Sequence, residues 1–499
     1  MLLPSEALLI AIRSEFARLQ AELPGGEASA GQVIGIVLQL LLAREQGDVA
    51  QLRVQVDTLQ RRLTEIAAAL PPTTDLRRSL DSVTADLAAT RDAENLLAGE
   101  RAWRKVLAAL EAFAGSVATD ETLDVALRTR LGLMMSTWER DDLSAAMQQP
   151  IRDAAALLAN REITVDSLQN YLRDRFKDSS LEVIACRTLP GGFGKQTYLF
   201  DCVGRDLAGS FVLRRDLAEP VIENDCHRIA TEYRLVRAVH ERGFPAPDAV
   251  LLDTEHSLLP GGDFMVMRRS PGVAGGSVFT AKGQVPAELV QTLADILARL
   301  HGLPPLAELG ELTDSIRVQQ WDMPLRECVH SYIDGFRKLF ERELHFSSPA
   351  LVTLFGWLLN NIPPMQGKPV LLHGDIGFHN FLFHEGRLSA VLDWEFGHLG
   401  DPAEDLAYAC NTLGEALDWT SFHAAYRAAG GRQIDARRVH FFRVWGHVRN
   451  ACASNLIAAK FAAGRLNDLK LAVLPNVYIP QFLDAALRLI ESPHHGSLA

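Results

Sequence analysis

The fold is decided between residues 371 and 407, where LLHGDIGFHN (371–380) is followed by VLDWEFGHLGDPAEDLA (391–407). Two short apolar runs, PVLL and SAVL, each deliver the chain into a polar loop, which reads as short strand pairs holding polar side chains against loops. His373, Gly374 and Asp375 come first, Asn380 lies five positions beyond Asp375, and Asp393 thirteen beyond Asn380. A lone aspartate in a loop often accepts backbone hydrogen bonds as a cap. That reading leaves the downstream Asn and Asp unexplained.

Outward from this stretch the chain is mostly helical on both sides. LVQTLADILARLHGL (289–303), Leu325 to Arg342 and LVTLFGWLLNNIP (351–363) precede it; SFHAAYRAAG (421–430), ARRVHFFRVWGHVRNACASNLIAAKFAAG (436–464) and the region Phe482 to Ile490 follow. Further upstream, LEVIACRTL (181–189), KQTYLFDCV (195–203) and GSFVLRRDL (209–217) read as strands joined locally by Gly-containing turns, hence antiparallel. A helix through TEYRLVRAV and two more strands, PAPDAVLLD and DFMVMRRS, complete a small sheet. A mostly parallel Rossmann sheet fits this order poorly.

The placement of Asp375, Asn380 and Asp393 resembles the catalytic loop and metal-binding segment of kinase-like phosphotransferases. HGDIGFHN with VLDWEFGHLGDPAEDLA is similar to the aminoglycoside phosphotransferase and choline-kinase-like superfamily, and ILARLHGL (296–303), RVQQW (317–321) and FFRVWGHVRN (441–450) favour its dehydrogenase-associated branch. The resemblance covers about residues 162–490. It implies an α+β class, a two-lobed protein-kinase-like fold preceded by an all-helical accessory domain. ATP would bind between the lobes and its γ-phosphoryl group would pass to a hydroxyl. Asp375 is then the catalytic residue that orients and deprotonates the acceptor hydroxyl. Asn380 and Asp393 are the ligands of Mg²⁺, a hard cation that prefers oxygen. His373 supports the catalytic loop. Asp401 is expected to brace that loop, and Asp405 to cap the helix after Pro402.

In the N-lobe, Gly191, Gly192, Gly194 and Lys195 look like the family nucleotide loop, where small residues let backbone amides approach phosphate. The GxxxxGK[ST] spacing is absent, so it is no P-loop. Arg214 in FVLRRD aligns with the phosphate-contacting cation, with Arg215 as the alternative. Strand alternation sends the two to opposite faces. Glu232 resembles the helix glutamate that fixes this cation, and Met267 lies in the FMVM segment that resembles the interlobe strand over adenine.

The implied function is ATP- and Mg²⁺-dependent phosphoryl transfer to a small hydroxylated substrate, with a hydroxyacyl-CoA or related catabolic intermediate as candidate acceptor. The alternatives are an antibiotic-directed O-phosphotransferase and a catalytically inactive kinase-like interaction protein. Trp321, Tyr332, Trp445 and Arg449 are candidates to border the acceptor site, or equally residues of the core.

Residues 1–160 depart from a minimal family member. Leu52, Val56, Leu59, Leu63, Ile66 and Leu70 alternate steps of four and three until Pro71-Pro72, an apolar seam for either a bundle or a homodimer. Helices are expected over Leu76 to Ala114 and Glu121 to Met147, the latter capped by Asp120 or Thr119. The division is 1–160 helical accessory or oligomerisation domain, 161–268 N-lobe and 269–499 C-lobe with the catalytic and metal-binding loops.

Composition sets the outer bounds. The 499 residues carry 50 Lys and Arg against 62 Asp and Glu, a formal charge of −12 with no continuous basic run, which argues against nucleic acid as partner. The six cysteines are scattered without zinc-site spacing. The start MLLPSEALLIAIRSEF lacks a basic leader and no apolar run approaches a membrane span; VIGIVLQLLLA (33–43) reads as a buried helix segment. A cytoplasmic location is the expectation.

Overall fold

The computed structural model describes Leu8, Ile12 and residues 49–71, 75–93, 96–145, 163–189, 194–217, 222, 228–255, 262–276, 285–306, 319–466 and 468–491. The segment VIGIVLQLLLA lies outside them, as do Gly191 and Gly192. Among the described residues, no helix is long and apolar enough to cross a membrane.

The chain divides into two compact units. The first holds the described residues of 1–160 together with 336–361 and 447–492. Helix Val49–Ala69 carries five residues of the apolar seam and Leu70 follows its end; all six are buried in one core with this chain's own helices Asp75–Arg91, Leu96–Thr119 and Val125–Ala145. The stretch expected as one helix from Leu76 is two, Asp75–Arg91 and Leu96–Thr119. The helix expected from Glu121 begins at Val125, because Asp124 rather than Asp120 accepts the Leu127 amide (2.7 Å), while Asp120 closes a turn onto Thr122. Helices Pro349–Asn360 and Ile479–Glu491 pack on Val125–Ala145 in the same unit. An aliphatic face does not declare which core it will join, and this grouping cuts across the division at residue 160. Two helices, Leu325–Arg342 and Ala436–Ala462, have residues in both units.

The second unit, 161–335 and 362–446, contains both lobes of the kinase-like fold. Helix Val165–Phe176 opens on a capping box between Thr164 and Ser167, satisfying first-turn amides, and packs on the sheet. That sheet has five strands, β1 (Glu182–Leu189), β2 (Lys195–Val203), β3 (Gly209–Asp216), β4 (Ala249–Asp253) and β5 (Phe264–Arg268), all antiparallel in the order β1-β2-β3-β5-β4. Phe211 and Leu213 of β3 are buried in the sheet's core with Tyr198, Phe200, Phe264 and Val266. The opposite side of β3 is thereby left for Arg214.

Helix Ile229–Glu241 follows β3. Beyond the sheet come β6 (Val273–Ala274), β7 (Val370–Leu372), β8 (Phe381–His384), β9 (Arg387–Val391) and β10 (His398–Gly400), pairing as β6-β8-β9 and β7-β10. These short ladders fix the two ends of the decisive stretch: β7 delivers His373, β8 follows Asn380, β9 delivers Asp393 and β10 precedes Asp401. Helices Ala287–His301, Ala403–Leu413 and Trp419–Ala428 close around them.

Candidate active site

The turn after β7 is held by one carboxylate. Asp405, in the first turn of helix Ala403–Leu413, accepts the His373 amide at Oδ2 (2.9 Å) and the Gly374 amide at Oδ1 (2.8 Å), and His301 Nε2 lies 3.2 Å from Oδ2. Tyr426 Oη in turn meets His301 Nδ1 at 2.8 Å. Burial opposes the Asp405 charge, but the hydrogen bond and charge of His301 and the loop amides outweigh it and hold its pKa below the usual carboxylate value. Gly374 has φ +81° and a Cβ there would stand 2.5 Å from the Phe396 carbonyl oxygen, so only glycine fits.

His373 is fully enclosed. Its Nδ1 accepts the Asp375 amide (3.2 Å), which leaves Nε2 to donate to the Leu392 carbonyl (2.9 Å). Burial lowers its pKa, so the ring is neutral and ties the start of the catalytic loop to the residue before Asp393. Asp375 is then fixed from the other side, because Asn380 Nδ2 donates to its carbonyl (2.8 Å) and to its Oδ2 (3.0 Å). His379 Nε2 stands 3.6 Å from the same Oδ2.

The later aspartates make contacts other than those expected of them. Asp401 accepts the Ala403 amide across Pro402 (2.9 Å), a turn ahead of the helix, and its Oδ2 accepts from Arg438 Nε at 2.8 Å. Asp405, not Asp401, braces the loop. One turn of helix separates them, and which carboxylate faces the loop depends on where that helix starts.

On β3, Arg214 donates through Nη1 to Glu232 Oε1 (2.7 Å) and through Nη2 to Asp393 Oδ1 (2.9 Å). Arg215 turns the other way and meets Gln196. Burial works against the Arg214 charge, but Asp393, Glu232 and Glu395 outweigh it and raise its pKa further. Burial pushes Glu232 up, with Arg214 opposing. Arg214 Nε and Glu232 Oε2 are buried without a hydrogen-bond partner, a shortfall that buried polar groups in a finished core rarely show. Asp393 has φ +64°, an αL conformation costly for a non-glycine residue and typical of strained functional positions.

Lys195 begins β2 with its side chain buried, Nζ at 2.7 Å from Asp216 Oδ1 and 4.0 Å from Glu395 Oε2. Gly194, the one glycine of the run among the described residues, precedes it. Met267 is buried on β5 opposite Val212 of β3. Burial, with Asp393 adding repulsion, pushes Glu395 up to about 8 against the pull of Lys195 and Arg214.

The oxygen set fits a hard divalent cation. Asn380 spends its Nδ2 on Asp375, so Oδ1 is its remaining ligand atom, and Asp393 commits only Oδ1 to Arg214. Carboxylate plus amide oxygen, completed by phosphate and water, is the donor chemistry magnesium takes.

The acceptor-site candidates fare differently. Tyr332 stacks on His398 (3.7 Å between centroids), Trp445 donates to Glu404 Oε1 (2.9 Å), and both are core residues, as is Arg449. Trp321, half-buried, donates to the Leu306 carbonyl. Asp216, Glu395, His301 and Tyr426 were not singled out by sequence reasoning; only His301 carried a signal, within ILARLHGL.

A sheet-and-helix kinase-like unit with this loop pair defines a phosphotransferase. A profile of the phosphotransferase enzyme family matches residues 185–442, just over half of the chain, and the chain belongs to that family. Acyl-CoA dehydrogenase family member 11 of Gallus gallus is 30% identical over 254 residues, 47% of this chain and 31% of the relative. Viomycin phosphotransferase of Streptomyces vinaceus is 29% identical over 170 residues, covering 31% of this chain and 52% of that protein. The chain thus spans about a third of the length of the dehydrogenase-named relatives it matches. Among solved structures, a putative aminoglycoside phosphotransferase from Ralstonia eutropha aligns with 66% of this chain and 99% of its own, at 21% identity and TM-score 0.47.

Proposed function

We propose that this ATP-dependent phosphotransferase modifies a hydroxyl of a small molecule of the antibiotic type, with Asp375 as the residue that takes the hydroxyl proton. The observation that carries the reading is the Asp375–Asn380 pair: one amide group fixes both the backbone and the carboxylate of Asp375 while keeping its own oxygen for a cation. When bound, ATP supplies the transferred group and Mg²⁺ neutralises its charge; Asn380 and Asp393 are the residues suited to hold the metal, and Arg214 the phosphates. Asp375 orients the acceptor and receives its proton, His373 holds Asp375 in line, and Glu232 keeps the Arg214 guanidinium aimed.

The antibiotic class is supported by the relative named viomycin phosphotransferase. A hydroxyacyl-CoA is the second reading, supported by the several matched relatives named acyl-CoA dehydrogenase family members. Incubating the protein with ATP and Mg²⁺ and panels of aminoglycosides, macrolides, peptide antibiotics, hydroxy acids and hydroxyacyl-CoAs, then reading acceptor mass, separates them. The expected product is an acceptor heavier by one phosphoryl group. Firm ATP binding with no acceptor modified in any panel would instead favour an inactive, partner-binding role.

A further inference from the structure

The glycine run ends at Lys195, a position from which a lysine might be thought to reach phosphate, yet its ammonium is turned inward. Lys195 and Asp216 are directly opposed residues of β2 and β3, and the ion pair at 2.7 Å closes that end of the ladder. The other oxygen of Asp216 is also engaged: Oδ2 accepts the amide of Ile229 at 3.0 Å. Ile229 is the first residue of the helix that carries Glu232, and Glu232 holds Arg214. Glu395, two residues past Asp393, completes the surroundings of Lys195 at 4.0 Å. Burial works against the Lys195 charge, but Asp216 and Glu395 outweigh it, so the ammonium persists.

We propose that Lys195 and Asp216 form a positioning clasp for nucleotide binding, fastening the exit of the glycine loop to the helix that sets Glu232 and Arg214. It rests on the reading of Arg214 and Asp393 as part of the ATP site. In this role both act through other groups, Lys195 through Asp216 and Asp216 through the Ile229 amide. A single carboxylate sets two things that must agree for ATP to be gripped: where β2 begins after the glycine run, and where the helix bearing the partner of Arg214 begins. A carboxylate that spends one oxygen on an ammonium and the other on a helix amide has no freedom to rotate, which is what makes it a fixed reference for both.

The test is ATP·Mg²⁺ binding by calorimetry and steady-state kinetics on the full-length protein, for wild type, Asp216→Asn, Lys195→Met, the double variant and Lys195→Arg, with melting temperature as control. Each single neutralisation is expected to weaken ATP binding and raise KM for ATP by roughly tenfold while kcat changes less than about threefold. The double variant should be no worse than either single one, because the pair acts as a unit, and Lys195→Arg should recover most of the affinity. Unchanged ATP affinity in both folded single variants overturns the clasp, as does strict additivity in the double. Loss confined to melting temperature also overturns it. Wild type that binds no ATP would defeat the functional reading itself and the clasp with it, a result distinguishable because it appears before any substitution.

Discussion

In the helical unit, one face of helix Val49–Ala69 places Leu52, Val56, Leu59, Leu63 and Ile66, followed by Leu70 just past its end, in an aliphatic core with Leu76, Leu80, Val83 and Leu87. In the phosphotransferase unit the comparable effort goes into burying polar and charged groups: Lys195 with Asp216, Arg214 with Glu232, and Asp405 with the His373 amide and His301. The first arrangement is worth what its area removes from water and tolerates exchange of one aliphatic group for another of like volume. The second contributes little net stability, since each buried charge costs most of what its partner returns. What it gains is geometry, with each carboxylate assigned to a particular amide or cation.

Substitutions should therefore separate activity from stability in opposite ways. The largest effect is expected from Asp375→Asn, which keeps the shape and the Asn380 contact but removes the proton acceptor. Turnover should fall roughly 10³-fold with ATP affinity and melting temperature nearly unchanged, measured by product mass and by calorimetry. Full transfer by this variant would end the assignment of Asp375 as base.

The same contrast explains what could be read in advance. Asp375, Asn380 and Asp393 were picked out by the resemblance their spacing carries, and the short ladders β7-β10 and β8-β9 are what hold that stretch in the fold. Strand alternation said only that Arg214 and Arg215 would part, and the resemblance pointed to Arg214; burial of Phe211 and Leu213 on the other face is what leaves Arg214 beside Glu232 and Asp393. The division of labour between Asp401 and Asp405 was not legible, since two carboxylates four residues apart differ only in where a helix begins. Asp216 gave no signal either: its partners, Lys195 and the Ile229 amide, are brought to it by strand pairing and by the start of helix Ile229–Glu241, not by any local pattern. In the helical unit the seam itself was plain. That Pro349–Asn360 and Ile479–Glu491 join its core was not, because apolar faces are interchangeable.

Next in size is Leu63→Ala. Leu63 is 1% exposed in the helical core, and truncating a buried leucine costs about 2–5 kcal/mol through lost burial and the cavity left behind. Denaturant unfolding should show that loss, with amide exchange accelerated most in Val49–Ala69 and Asp75–Arg91. Phosphoryl transfer per folded molecule should hold, because no residue of the candidate site belongs to that core. A variant as stable as wild type, or one that loses catalysis while folded, would break the contrast between the two regions.

The smallest effect concerns the helical unit's own exception, a charge buried among aliphatics. Glu139 on helix Val125–Ala145 accepts Ser348 Oγ and the Ala350 amide, each at 2.7 Å, at the start of helix Pro349–Asn360. Burial pushes its carboxyl up to about 7 from 4.5, with Glu111 adding repulsion and the Ser348 and Ala350 hydrogen bonds opposing. Because the folded pKa is raised, the folded state holds the proton through the window from 4.5 to about 7 while the unfolded chain has lost it. This group therefore favours folding most below pH 4.5, loses that advantage steadily as pH rises to about 7, and changes nothing further above it. The shift corresponds to at most roughly 3 kcal/mol at ~1.4 kcal/mol per unit. Glu139→Gln, neutral throughout and still able to accept one of the two hydrogen bonds, should flatten the fall in unfolding free energy between pH 5 and pH 7.5 by up to that amount. Parallel stability curves for wild type and variant across that range would show that Glu139 is already ionised in the folded chain, and that its two hydrogen bonds compensate its burial as fully as those of Asp405.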